Sequence, residues 1–178
     1  MIESESINAV DDLTLQDLAG QVGSALAQQG LMLVSAESCT GGWLAQTITS
    51  IAGCSAWYER GFITYSVVSK REMLGVSGAT LERYGAVSEE TAYEMAEGAI
   101  ARSHAQVAVS ITGIAGPDGG SAVKPVGMVC FTWIIKEGLA RSQTRHFSGS
   151  RETIRRQAVA EALQGVMDLL QGIPPMVT

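Results

Sequence analysis

Leu31-Met-Leu-Val-Ser-Ala-Glu-Ser-Cys-Thr-Gly-Gly42 decides the fold. Residues 31–36 are a short apolar run, a candidate buried strand. Residues 37–42 form a turn that ends in two glycines. After it Leu44, Ile48 and Ile51 recur at helical spacing. Upstream, Thr14 with Asp17 resembles a capping box. Leu15, Leu18, Val22 and Leu26 then fall on one helix face, and Gly30 stops that helix.

Downstream the periods keep alternating. Residues 61–65 read as a second strand, and short helical pieces follow to about Tyr84. Ser88 caps a helix whose apolar stripe is Ala92, Met95, Ala96, Ala99 and Ile100. Residues 105–112 are a third strand, followed by a long glycine-rich loop over 113–121. Residues 126–135 and 139–147 read as a hairpin across Lys136-Glu137-Gly138. Ser150 caps a last helix with Ile154, Ala158, Ala162 and Val166 along one face. Strand–helix–strand early and a hairpin late predict an α/β fold. Its sheet is mixed and mostly parallel, with helices on both faces in three α/β/α layers. Ligands in such sheets sit beyond the carboxyl ends of the strands, where both glycine-rich loops fall. The reading gives one domain over 14–172, with frayed tails at 1–13 and 173–178.

The chain has 178 residues, 46% apolar and 17% charged, a globular composition. The net charge of −6 and the lack of a Lys/Arg run longer than Arg155-Arg156 argue against a nucleic-acid partner. Cys39, Cys54 and Cys130 are an odd count without metal spacing, so reduced thiols and a cytoplasmic location are expected, and no metal. The polar, acidic start does not read as a signal peptide, and no stretch is apolar enough to span a membrane. The apolar excess predicts a homo-oligomer.

Ser38 stands where a strand ends and a helix is about to begin. Its hydroxyl is either a cap or a nucleophile beside helix N–H groups that stabilise negative charge. A nucleophilic serine needs a base. His104 ends the Ser88 helix and His146 lies in the fifth strand, and neither is expected at a strand's carboxyl end. Lys70 is five residues past Tyr65, just beyond the second strand. A desolvated lysine serves as a base near neutral pH, and Tyr65 is placed to relay or hold its proton. Cys39 is a rival nucleophile, but as Ser38's neighbour it should point away. The loop Thr112-Gly113-Ile114-Ala115-Gly116-Pro117-Asp118-Gly119-Gly120 could form a nest for a phosphate or an oxyanion. Arg151, Arg155 and Arg156 open the last helix at the wrong end for its dipole, a placement that invites an anionic partner, though exposure to solvent is the simpler explanation.

Five ordered segments carry a resemblance: Ala36-Glu-Ser-Cys-Thr-Gly-Gly42, Gly61-Phe-Ile-Thr-Tyr-Ser66 with Lys70, Gly85-Ala-Val-Ser-Glu-Glu90, Ile111-Thr-Gly-Ile-Ala-Gly-Pro-Asp-Gly-Gly120 with Lys124-Pro-Val-Gly127, and Phe147-Ser-Gly with Arg151, Ile154 and Arg155. They resemble the C-terminal amidase domain of the CinA, or competence-damage-inducible, family. The resemblance implies hydrolysis of the carboxamide of nicotinamide mononucleotide to nicotinic acid mononucleotide and ammonia, without a cofactor. It implies Ser38 as nucleophile, Lys70 as base and Tyr65 as their helper. Thr40, Gly41, Gly42, Thr112, Gly113 and Gly116 would line the pocket, and Arg151 would meet the substrate phosphate. The pattern departs at Val67 and Val68, where polar residues are usual, and at Ser150, where an aspartate is usual. The two valines put apolar side chains close to the expected base, so weak turnover is expected, or a nucleotide-binding module in place of an enzyme.

Overall fold

The computed structural model describes residues 10–172. In chain order it runs α1 (Asp12–Gln28), β1 (Leu33–Glu37), α2 (Trp43–Thr49), a 3₁₀ turn (Cys54–Ala56), β2 (Tyr58–Ile63), α3 (Val67–Leu74), α4 (Gly78–Tyr84), α5 (Glu89–Ala101), β3 (Val107–Gly113), β4 (Met128–Ile135), β5 (Ala140–His146) and α6 (Arg151–Gln171). The strands form one sheet in the order β2-β1-β3-β4-β5. β2, β1 and β3 pair in parallel, while β4 pairs antiparallel with both β3 and β5. Four of the five strands therefore point one way. This is the mixed, helix-covered sheet with a late hairpin that the periodicities predict.

Side-chain alternation sorts the layers. Val107, Val109 and Ile111 of β3 pack with Leu15 and Leu26 of α1, Leu44 of α2 and Ala162 of α6. Ala108, from between them, packs with Val34 and Ala36 of β1 and with Met95 and Ala99 of α5. Burying a large aliphatic or aromatic side chain contributes roughly 1.5–3 kcal/mol, so these two cores hold the layers together without disulfides. All three cysteines are free.

Strands β1, β3, β4 and β5 lie within two residues of the expected bounds, and two other boundaries differ more. Helix α1 starts at Asp12, because the Asp11 carboxylate accepts from the Thr14 N–H at 2.7 Å. The cap is therefore Asp11 with Thr14, three residues ahead of the expected Thr14–Asp17 box, and residues 12 and 13 are helical. The rest of the expected N-terminal tail, residues 1–9, and the tail at 173–178 lie outside the described residues. β2 begins at Tyr58, which pairs with Leu33, and ends at Ile63. Thr64 still donates to Glu37 O at 2.8 Å, after which Ser66 caps α3 and takes the chain out of the sheet.

This register positions a site. Glu37 lies opposite Ile63 on one side and Ile111 on the other. Three parallel strands thus end together, and the segments that follow them meet at one sheet edge.

Candidate active site

Ser38 is the first residue past β1, held by its N–H to Ile111 O at 2.9 Å. The chain then reverses through Gly41 at φ +60° and Gly42 at φ +96°, a left-handed pair that favours glycine. A Cβ on Gly42 would also sit 2.8 Å from Ile63 Cδ1. Glu37, which the sequence reading passed over, is 1% exposed and lies under this turn. Its Oε2 accepts from Thr40 Oγ1 (2.7 Å), Gly42 N (3.0 Å) and Leu44 N (3.1 Å), and its Oε1 from Ala45 N (2.9 Å). The available signal was an acid a few residues ahead of a helix start, where free N–H groups need acceptors.

Lys70 approaches from the other face of the sheet. Ser66 caps α3 by accepting from Ser69 N at 3.0 Å, which places Lys70 one turn into the helix. The lysine is only 1% exposed. Its Nζ lies 2.8 Å from Ser38 Oγ and donates to Thr64 O at 2.7 Å, with Tyr65 O at 3.5 Å. Burial lowers its pKa to about 8, because the ammonium loses hydration. A neutral amine can give its two N–H groups to the two carbonyls and turn its lone pair to the Ser38 hydroxyl. Burial acts the opposite way on Cys39, whose thiol is pushed up to about 12. A thiol so far from ionising is a poor rival nucleophile.

Ser38 and Lys70 open into a cavity of about 250 Å³ that Cys39, Thr112, Gly116 and Arg151 also line. Thr112 is buried and donates to Ala86 O at 2.7 Å, fixing the 86–87 wall. Gly113, the last residue of β3, lines the cavity too. Gly116 is left-handed at φ +77°, and a Cβ there would sit 2.5 Å from Val126 Cγ1. Its carbonyl accepts from Arg151 Nη1 at 2.6 Å, and Arg151 Nη2 donates to the Tyr65 hydroxyl at 3.0 Å. Arg151 thereby bridges two sides of the cavity mouth. Among the described residues the N–H groups of Ala115, Gly116, Asp118 and Gly119 have no acceptor. No group of three or more His, Cys, Asp or Glu among them is placed to hold a metal ion.

A family model described as CinA C-terminal domain matches residues 15–170. The chain belongs to the CinA C-terminal domain family. An Escherichia coli (strain K12) relative, named nicotinamide-nucleotide amidohydrolase PncC, is 54% identical over 153 residues, covering 86% of this chain and 93% of its own. A Pseudomonas putida relative of the same name is 45% identical over 152 residues, covering 85% and 94%. Among solved structures, competence damage-inducible protein A of Klebsiella pneumoniae subsp. pneumoniae superposes with a TM-score of 0.87 at 36% identity, covering 90% of this chain and 99% of that one. Competence/damage inducible protein CihA of Agrobacterium tumefaciens gives 0.85 at 45% identity, covering 89% and 96%.

Several residues carried over from the CinA family pattern sit differently from expectation. Thr40, Gly41 and Gly42 do not line the cavity. The Thr40 hydroxyl faces Glu37, and the N–H groups of Gly41 and Gly42 are taken by Ser38 O and Glu37. Tyr65 lines the mouth, but its side chain is 62% exposed and its hydroxyl pairs with Arg151, not with Lys70. β2 stops before Tyr65, so the strand alternation that would have turned the ring inward does not apply. His146 does end β5 at a carboxyl end, contrary to expectation, yet it is exposed and outside the cavity. Of the three arginines only Arg151 reaches the cavity. Arg155 donates to Cys39 O and Thr40 O, and Arg156 pairs with Asp12 and Glu152. Val67 and Val68, expected beside the base, are 48% and 59% exposed and absent from the cavity wall. Ser150 caps α6 through Thr153 N at 3.2 Å, as its hydroxyl predicts.

Proposed function

We propose that this protein is a nicotinamide-nucleotide amidase, hydrolysing nicotinamide mononucleotide to nicotinic acid mononucleotide and ammonia through Ser38 and Lys70. One observation carries the reading: a buried, pKa-lowered lysine amine 2.8 Å from a serine hydroxyl, inside a cavity at the strand ends. The names of the Escherichia coli and Pseudomonas putida relatives supply the substrate class.

Ser38 Oγ attacks the carboxamide carbon while Lys70 Nζ takes its proton. The resulting oxyanion faces N–H groups that have no acceptor among the described residues, those of Cys39 and Thr40 beside the nucleophile and those of Ala115, Gly116, Asp118 and Gly119, since the N–H groups from Gly41 to Ala45 are already bonded. The C–N bond breaks as Lys70 returns the proton to the departing ammonia, leaving an ester on Ser38. Lys70 then draws a proton from water, which adds to the ester. Collapse releases the carboxylate and returns the proton to Ser38. One water is consumed, and no cofactor enters the balance.

Arg151 is the phosphate partner. A guanidinium has five N–H donors, and two contacts leave others free. The Tyr65 hydroxyl accepts from Arg151, so its own proton is free for a phosphate oxygen, a binding role in place of proton relay. The binding-module alternative rested on apolar side chains beside the base, and the exposed Val67 and Val68 remove that ground.

The same proposal takes residues 14–172 as one domain, which the match over 15–170 supports. It takes the protein as cytoplasmic, with its three free thiols, and as a homo-oligomer covering the exposed Ile63, Val67 and Val68. It includes neither nucleic-acid nor membrane partners. No described helix is long and apolar enough to cross a membrane. Incubation of the purified protein with nicotinamide mononucleotide should release ammonia and nicotinic acid mononucleotide in equal amounts. Release no greater than that of Ser38→Ala overturns the reading.

A further inference from the structure

We propose that Glu37 and Arg155 are the positioning residues of this site, gripping the main chain of the Ser38 turn with opposite charges. Neither lines the cavity, and the inference rests on the amidase reading only for its turnover measurements.

The turn needs such a grip. Two successive left-handed glycines, Gly41 and Gly42, give the unfolded chain more freedom than any other pair of residues, so holding one conformation costs more here. Without fixed partners the segment between β1 and α2 would move, and Ser38 Oγ with it. The chain's donors and acceptors are met separately. The carboxylate of Glu37 collects the N–H groups of Gly42, Leu44 and Ala45 and the hydroxyl of Thr40. The guanidinium of Arg155, reaching down from α6, collects the carbonyls that immediately follow Ser38. Its Nε donates to Cys39 O at 3.0 Å and its Nη2 to Thr40 O at 2.8 Å. The guanidinium also lies over the ring of Trp43, the first residue of α2, at 5.1 Å. The planar fork matches two adjacent carbonyls in a way an ammonium cannot.

The grip spans the molecule. Glu37 belongs to the sheet and Arg155 to α6, more than a hundred residues later, so the nucleophile's place is set by both. Charged donors and acceptors give stronger hydrogen bonds than neutral ones, and the Glu37 contacts are shielded from water. Glu37 also occupies the amino end of α2, which is why that end is not offered to a substrate. The consequence is kinetic. A nucleophile displaced by about 1 Å loses on the order of 10²-fold in rate while the binding groups at the mouth stay where they are.

The test uses full-length Arg155→Met, Arg155→Lys and Glu37→Gln with three readouts. The first is the rate at which a small phosphonofluoridate labels Ser38, followed by intact mass. The second is kcat and KM on nicotinamide mononucleotide, and the third is the melting temperature. Arg155→Met should label and turn over roughly ten- to a hundredfold more slowly, with KM within about twofold of wild type. Arg155→Lys should recover part of the loss, because an ammonium reaches one carbonyl but does not fork across both. Glu37→Gln should fall between, since its one oxygen keeps the donors on Oε2 and loses Ala45. A purely structural role would lower the melting temperature without this kcat–KM split. A folded Arg155→Met that labels and turns over within about twofold of wild type overturns the proposal, as does a loss confined to KM. If wild type releases no ammonia yet Arg155→Met still labels more slowly, the substrate assignment fails and the grip stands. A wild-type Ser38 that the reagent leaves unlabelled overturns both.

Discussion

The turn after β1 and the loop after β3 are both glycine-rich, both follow a parallel strand and both border one cavity, yet their glycines use their main-chain donors in opposite ways. From Gly41 to Ala45 every N–H is bonded within the protein: Gly41 to Ser38 O, Trp43 to Thr40 O, and Gly42, Leu44 and Ala45 to Glu37. In the second loop Ile114 bonds Met128 O, but Ala115, Gly116, Asp118 and Gly119 have no acceptor among the described residues. In the first loop the glycines and the start of α2 are framework, and only Cys39 and Thr40, next to the nucleophile, have N–H groups without an acceptor among the described residues. The second offers donors to a ligand. Glycine content is the same signal in both, and only the fate of each N–H separates them.

The largest effect that can break this division falls on the framework side. Ser38→Ala should cut kcat by at least about 10³-fold and leave the melting temperature close to wild type, because one hydroxyl is lost from a turn held by other groups. Cys39→Ala should keep most activity, since its thiol is far from ionising and only its carbonyl has a role. Equal losses in the two variants, by ammonia release, would mean that the wrong side chain has been assigned.

The base gives the next effect. With the Lys70 pKa lowered to about 8, the ammonium dominates below that pH and the reactive neutral amine above it. kcat/KM should therefore rise close to tenfold per pH unit below about 8 and level off above it. Stability carries the same sign. The unfolded lysine holds its proton up to its ordinary value of 10.5, so between about 8 and that value the unfolded state binds more protons, and stability rises with pH. A rate that is flat between about pH 6 and 10 would remove Lys70 from the role of base.

How much of this was legible beforehand follows from what each feature depends on. The layers were legible because period and glycine punctuation are local, as in residues 31–42. Ser38 and Lys70 were legible as a pair because parallel strands bring their carboxyl ends together. Glu37 was not, because its four donors come from the turn and helix after it, and a buried acid reads as an exposed one until that geometry is known. The role of Arg155, read as facing an anion or solvent, was hidden for a related reason: its carbonyl partners are 115 and 116 positions away. Tyr65 was misplaced by a strand end drawn two residues too late.

A smaller effect tests the ligand-facing loop. Gly116→Ala puts a methyl 2.5 Å from Val126 Cγ1 at a φ of +77°, and it shifts the carbonyl that Arg151 holds. Strain of about 1–3 kcal/mol is expected, which the loop relieves by moving. kcat/KM on nicotinamide mononucleotide should fall roughly five- to a hundredfold, with labelling of Ser38 by the phosphonofluoridate changed far less. Equal loss in labelling would show that the two loops move as one body and would erase the distinction between them.

Val67→Asn should do least. By sequence the valine stands three residues from Lys70 where an amide is usual, which suggests a lost catalytic contact. The helix geometry of α3 decides otherwise. Lys70 points inward from this helix and is almost fully buried, whereas Val67 occupies the helix's first position with half its surface in water. It is absent from the wall shared by Ser38, Lys70 and Arg151. An amide at that position would meet solvent on the outer surface, where a hydrogen bond to water replaces nothing and adds about nothing to the rate. The substitution should leave kcat and KM within about twofold of wild type. It should also trim exposed apolar surface, to which Ile63 and Val68 contribute as well, so any response should appear in the association state read by light scattering, not in turnover. A several-fold gain in kcat/KM would mean that α3 swings Val67 toward the cavity when substrate binds, and that the cavity described here is its open form.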